Sequence, residues 1–223
     1  SMLLQYLVID ISNKKGIFLD NIAKIQQVHH YALPRIGGLG IFLSSLFMGY
    51  YAPLGMLIMI ASIPAFFAGF LEDYSDSVSP IQRLTIMLLA PFIACFIIPD
   101  SNLIYFDQFE LAPYIGIAAT LFLTTTLING INFIDGQNGL AASTSIIILS
   151  GLAYIAYLIN DTALLYISLT AVAATLGFLI FNFPKAKIFL GDGGAYFLGF
   201  IIAIMSIYLT QHHHLQVSIL SIV

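Results

Sequence analysis

The sequence predicts an all-α, polytopic membrane helix bundle, and three observations carry that reading. Apolar residues make up 60% of the chain and charged residues only 8%, against about 25% charge in a soluble globular domain. The mean hydropathy is +0.98. The few charges are segregated: residues 36–71, 84–99, 111–134, 136–160, 162–184 and 193–211 contain no Asp, Glu, Lys or Arg. A soluble domain cannot hide this much apolar surface within itself, whereas a helix crossing a bilayer needs about 20 such residues.

The chain opens with a short apolar stretch that includes Asp10, too brief for a full crossing. It lacks a basic leading segment and a clear cleavage site, so it does not read as a signal peptide. The run 36–71 is too long for one pass, since it would measure about 54 Å at 1.5 Å per residue against a hydrocarbon core of about 30 Å. The Pro53-Leu54-Gly55 break divides it into a helical hairpin of two short passes. Single passes follow at the other intervals, making about eight spans with a curtailed first helix. Cys95, the one cysteine, lies inside a pass and reads as a small core hydrophobe, not half of a disulfide.

Counting crossings from the hairpin places 12–35, 72–83, 129–138 and 183–194 on one side. The segments 100–110, 160–161 and 212–214 fall on the other. All seven basic residues, Lys14, Lys15, Lys24, Arg35, Arg83, Lys185 and Lys187, then share the first side. The positive-inside rule makes that side cytoplasmic, and the protein is expected as a multi-pass component of the cell's inner membrane.

The same side collects the polar motifs HHYALPRIGG (29–38), GFLEDYSD (69–76), NGINFIDGQNG (129–139) and KIFLGDGG (187–194). Ionisable groups at helix mouths in a membrane protein are functional candidates. Asp192, Asp135, Glu72 and Asp73 would bring four carboxylates together, which repel unless protonated or bridged by a cation. Oxygen donors with the neutral amide of Asn132 suit Mg²⁺ or Mn²⁺, and Mg²⁺ usually shares its shell with substrate phosphates. Gly191, Gly193 and Gly194 are expected to let backbone N–H groups approach phosphate at a helix N-terminus. Arg35, Arg83, Lys185 and Lys187 would neutralise further phosphate charge. The pattern points to phosphoryl transfer at a membrane surface.

These segments, spread over about residues 16 to 210, resemble the polyprenyl-phosphate N-acetylhexosamine-1-phosphate transferases of the bacterial glycosyltransferase family 4 type. The resemblance implies transfer of a sugar 1-phosphate from a UDP-sugar to a polyprenyl phosphate such as undecaprenyl phosphate. UMP is released, with Mg²⁺ or Mn²⁺ as cofactor. By position, Asp192 resembles the metal-binding Asp, with Asn132 or Asp135 close to the metal. Asp73, with Glu72 and Asp135, is implied as catalytic, Asp73 deprotonating or orienting the lipid phosphate. Asn129 and Asn138 would face the nucleotide-sugar, and Arg35, Lys187 and Gly193 complete the substrate-binding set.

Departures from the family pattern are Glu72 and Asn138, where many members have Asp. A histidine motif expected in a late cytoplasmic loop is also absent. His212, His213 and His214 do not replace it, because parity puts them outside. The resemblance therefore implies a single catalytic domain over 1–223 that is part of a fold of 10–11 spans. The PRIGG segment and the Glu-Asp pair resemble the branch that initiates O-antigen, teichoic acid or capsule chains. The alternatives are a UDP-MurNAc-pentapeptide phosphotransferase of peptidoglycan synthesis, an ion-coupled transporter and an inactive membrane scaffold. The lipid bilayer is an expected partner, nucleic acid is not, and a homodimer is left open.

Overall fold

A computed structural model describes residues 1–19, 33–75, 78–102, 105–106, 109–110 and 112–217. Nine helices follow one another among these residues: α1 (Met2–Lys15), α2 (Gly37–Ser45), α3 (Met48–Tyr51), α4 (Pro53–Ser75), α5 (Pro80–Ile97), α6 (Pro113–Ile134), α7 (Leu140–Leu158), α8 (Thr162–Asn182) and α9 (Gly191–His212). A two-stranded antiparallel hairpin, β1 (Tyr105–Phe106) and β2 (Phe109–Glu110), lies between α5 and α6. The regular elements are otherwise helical, as expected of an all-α bundle. Helices α4 to α9 are each long and apolar enough to cross a membrane. Six such helices in one chain are the pattern of a multi-pass membrane protein.

The break expected near Pro53 is present, one residue early. Ala52 is extended, with φ −155° and ψ 144°, as a residue before proline must be, and Pro53 opens α4. Gly55 completes the corner, since a Cβ there would lie 2.3 Å from the Met48 carbonyl oxygen. Helices α2 and α3 in succession run from the α9 N-terminus, where the Gly38 amide donates to the Leu190 carbonyl, to Tyr51, which stacks on Tyr166 near the start of α8. The 36–71 run is thus two passes. Helix α1 is shorter; Ser1 donates to the Ala174 carbonyl midway along α8, and Gln5 to the Gly37 carbonyl at 2.9 Å. Six full-length helices, the α2–α3 pass and this short α1 stand where about eight spans were expected.

Helix α9 is the axis, almost wholly buried and packed by α4, α6, α2 and α7. With no hydrophobic drive between helices in lipid, close approach depends on small residues. A Cβ on Gly69, Gly38 or Gly199 would sit 2.3–2.6 Å from the backbone atoms of Asp192, Gly194 and Ile128 respectively.

The parity of the loops holds. Phe18 meets Phe70 and Tyr74 at one end of the bundle, the end of Lys14, Lys15, Arg35 and Arg83. Lys24, His29 and His30 lie outside the described residues. At the other end His212 Nδ1 is 2.7 Å from Asp100 Oδ2, and His213 Nε2 is 2.9 Å from Asp161 Oδ2. Cys95 is buried in α5, as expected.

Candidate active site at the basic end of the bundle

Five sequence-distant pieces build the site. Residues 34–38 run beside 189–190: the Phe189 amide donates to the Pro34 carbonyl, the Gly37 amide to Phe189, and the Gly38 amide to Leu190, all at 2.8–2.9 Å. The Arg35 amide donates to Phe18 at 2.8 Å. Arg35 is thereby held over the start of α9. Glu72 and Asp73 come from the last turn of α4. A capping box at the start of α5, Ser79 with Gln82, satisfies the first amides of that helix and sets Arg83 on its first turn. Asn132 comes from the last turn of α6, with Asp135 just beyond it as C-cap. Asp192 stands on the first turn of α9.

Asp192 is the hub. Its Oδ1 accepts from Asn132 Nδ2 at 3.0 Å and its Oδ2 from Arg83 Nη1 at 3.2 Å. Arg35 Nη2 lies 3.7 Å from both Asp192 Oδ1 and Asp73 Oδ1. Glu72 accepts from the Val78 amide at 3.2 Å and stands 3.8 Å from Arg83 Nη1. Asp73 is more buried than Glu72 or Asp192, its side chain 3% exposed against 18% and 16%. Its oxygens accept the Asp192 and Gly193 amides, each at 2.9 Å.

Four carboxylates, Glu72, Asp73, Asp135 and Asp192, therefore share the space with two guanidiniums, Arg35 and Arg83, leaving negative charge in excess. Asp135 registers the imbalance. Burial pushes its carboxyl well above the usual carboxylate range, the charges of Asp192 and Asp73 push further, and Arg35 pulls back. Among the described residues no group of three or more His, Cys, Asp and Glu side chains forms a metal cage. The donor set fits a cation that takes one or two carboxylates and fills its shell with phosphate or water, which is the habit of Mg²⁺. Asp192 and the Asn132 amide oxygen would hold it. Arg83 Nε, buried without a partner among the described residues, marks a donor available to an incoming acceptor.

Gly193 departs from expectation. Its amide is spent on Asp73, and a Cβ there would meet the Phe70 backbone at 3.0 Å. It is a helix-packing glycine, and Gly194 likewise abuts Gly38. The anion that meets these α9 amides is the protein's own Asp73. Gly191 does need its freedom, adopting φ +77° with a would-be Cβ 2.6 Å from Asp73 Oδ2.

Asn129, Asn138 and Lys187 are not drawn into the Asp192 cluster. The Asn129 amide donates to the Thr125 carbonyl on its own helix, and Asn138 makes a 3.4 Å contact with the Pro184 carbonyl. Lys187 is exposed on the 183–190 loop. They form a rim. The residue that motif reasoning missed is Asn182, 5% exposed. It accepts from the Gly139 amide at 2.6 Å and donates to the Ile188 carbonyl at 2.9 Å, tying the α6–α7 turn to the segment leading into Asp192. The available signal was an amide at the end of an apolar run, where a polar group must find a partner.

Comparison with known proteins places this geometry. The family model for glycosyl transferase family 4 matches residues 55–210. A probable undecaprenyl-phosphate N-acetylglucosaminyl 1-phosphate transferase of Bacillus subtilis is 34% identical over 194 residues, which is 82% of this chain and 53% of that protein. A phospho-N-acetylmuramoyl-pentapeptide-transferase of Streptococcus pneumoniae (strain 70585) is 29% identical over 197 residues, 80% of this chain and 60% of its own. The one from Streptococcus uberis is 30% identical over 185 residues, 77% and 55%. The chain thus spans roughly half to three fifths of the length of these relatives. On the family match and the Bacillus relative together, the chain belongs to glycosyl transferase family 4.

Proposed function

We propose that the protein transfers an N-acetylhexosamine 1-phosphate from a UDP-sugar to a membrane polyprenyl phosphate, releasing UMP and starting a cell-surface polysaccharide. One observation supports it above the others: Asp192, Asn132, Asp135, Glu72, Arg35 and Arg83 meet at the basic end of a membrane bundle. A transporter would place its carboxylates near mid-membrane at interrupted helices; these sit at helix ends.

The chemistry follows from the charges. An oxygen of the lipid phosphate attacks the sugar-bearing phosphorus, and the bond to UMP breaks. Such transfer is served mainly by positioning and by neutralising charge on the phosphoryl oxygens. Arg35 and Arg83 supply two fixed positive charges beside Asp192. Asp192 and Asn132 would hold Mg²⁺ or Mn²⁺, which would supply positive charge to the pyrophosphate oxygens. Asp135, which keeps its proton to unusually high pH, is suited to exchange a proton with a phosphate oxygen. Asn129, Asn138 and Lys187, which the Asp192 cluster does not engage, would meet the nucleotide-sugar. An apolar groove of about 540 Å³ between α5 and α6, lined by Leu88, Leu121, Phe122 and Thr125 and ending at Asn129, supports a route for a polyprenyl chain.

The test uses membranes containing the protein at its full natural length, incubated with radiolabelled UDP-N-acetylglucosamine, undecaprenyl phosphate and Mg²⁺. A labelled lipid and stoichiometric UMP are expected, both abolished by EDTA. Labelled lipid from UDP-MurNAc-pentapeptide alone would move the protein to the peptidoglycan reaction. No lipid product from either donor would overturn the transfer reading.

A further inference from the structure

We propose that Asp73 is a positioning residue, whose carboxylate acts as a tertiary cap on α9 and so fixes the backbone from which Asp192 projects. This rests on the transfer reading only for its consequence in turnover; the cap itself is independent of it.

The last residue before α9, Leu190, offers no side chain to the opening amides of that helix, and a helix start buried without partners is costly. Asp73, reaching across from α4, supplies both: Oδ1 accepts from Asp192 and Oδ2 from Gly193, at 2.9 Å each. The geometry of the neighbours is matched to this contact. Gly191 takes a left-handed φ and leaves no room for a Cβ beside Asp73 Oδ2, while Gly69 lets the α4 backbone approach Asp192 within a distance no side chain would allow. Arg35 Nη2, equidistant at 3.7 Å from Asp73 and Asp192, offsets the repulsion between the two carboxylates.

A carboxylate that is 3% exposed with both oxygens committed to amides is poorly placed to take a proton from a lipid phosphate, since a base must come within hydrogen-bond reach of that proton. Glu72, 18% exposed at the adjacent position, is the member of the pair that an incoming group can reach. The Glu72-Asp73 dipeptide thus divides its work, one carboxylate facing the opening and one facing the scaffold. Groups that orient a metal-holding side chain typically change affinity or activity by about 10–100-fold when removed.

Two readouts decide it. In the metal-free protein without substrate, the amides of Asp192 and Gly193 should be protected from hydrogen exchange. Asp73→Ala should lose that protection at both, and the isosteric Asp73→Asn, with one acceptor, at one. In the transfer assay Asp73→Asn should need about tenfold more Mg²⁺ for half-maximal rate while keeping turnover within about tenfold at saturating Mg²⁺. Unchanged exchange at residues 192 and 193 in Asp73→Ala would overturn the cap; should that variant fail to accumulate, Asp73→Asn decides alone by the same measurement. Turnover lost at saturating Mg²⁺ in Asp73→Asn, with an unchanged Mg²⁺ requirement, would assign Asp73 to the chemistry instead. Protected amides in a wild-type protein that transfers no sugar phosphate would leave the cap standing and sink only the transfer reading.

Discussion

Asp135 sits at the C-terminal end of α6 with two carboxylates and one guanidinium acting on it. Its folded-state value is raised, so the stability it contributes is present at acid pH and is lost as pH climbs through that raised value. Asp135→Asn removes the titration. The variant should therefore match the wild type in melting temperature at acid pH and gain on it progressively toward alkaline pH. The gap should widen steadily as pH rises, its sign fixed by the raised value of Asp135. Mg²⁺ should close the gap by stabilising the wild type more. A melting-temperature difference that does not change between pH 4 and 9 would show that the site does not bear on Asp135. Residues like this one were legible because a carboxylate at the end of an uncharged run has few other uses. Gly193 was not: a glycine opening a helix reads the same whether it admits a phosphate or another helix, and only the position of α4 separates the two. Asn182 was missed because one amide in an apolar stretch gives no sign of the two backbone groups it joins.

At the scale of elements, α9 separates two polar clusters. Asp192 opens it and His212 closes it, about 30 Å apart at 1.5 Å per residue. At the far end Asp161 caps α8 through Oδ1 at 2.8 Å and meets His213 through Oδ2, while Asp100 meets His212. These contacts pin the α7–α8 turn and the end of α5 to the end of α9. Replacing His212, His213 and His214 together by Ala should leave turnover within about threefold, because the Asp192 cluster lies at the other end of α9, beyond hydrogen-bond reach of all three. It should lower stability by about 1–2 kcal/mol, the loss of two partly exposed hydrogen-bonded pairs. Normal folding with abolished turnover would mean that the end of α9 lies on the active side. The order of helices was readable from uncharged intervals, and Pro53 announced its corner through the conformation it forbids to Ala52. That α9 would be the axis was not readable, since its apolar content matches that of its neighbours; burial here follows from glycines whose partners lie on other helices.

For the whole molecule, the distribution of Lys and Arg and the packing agree on one sidedness: Arg35 and Arg83 stand at the end opposite Asp100 and Asp161. Single cysteines introduced at Tyr74 and Lys185, both exposed, in a Cys95→Ala background should react with a membrane-impermeant maleimide only after the cytoplasmic side is opened. Cysteines at Tyr157 and Asn160, exposed at the other end, should react in intact cells. Tyr74 and Lys185 reacting from opposite sides would separate segments that the site requires together.

The central claim is that Asp192, gathered with Asn132, Arg35 and Arg83 from four distant segments, carries metal-assisted sugar-phosphate transfer. Its most direct test is UMP release by Asp192→Asn in the full-length protein at saturating Mg²⁺. The amide keeps the side chain's shape but removes the charge that would hold the cation, and metal and oxyanion contributions of several kcal/mol put the expected loss at about a hundredfold or more. A variant that folds, inserts and retains most of its turnover would contradict the account.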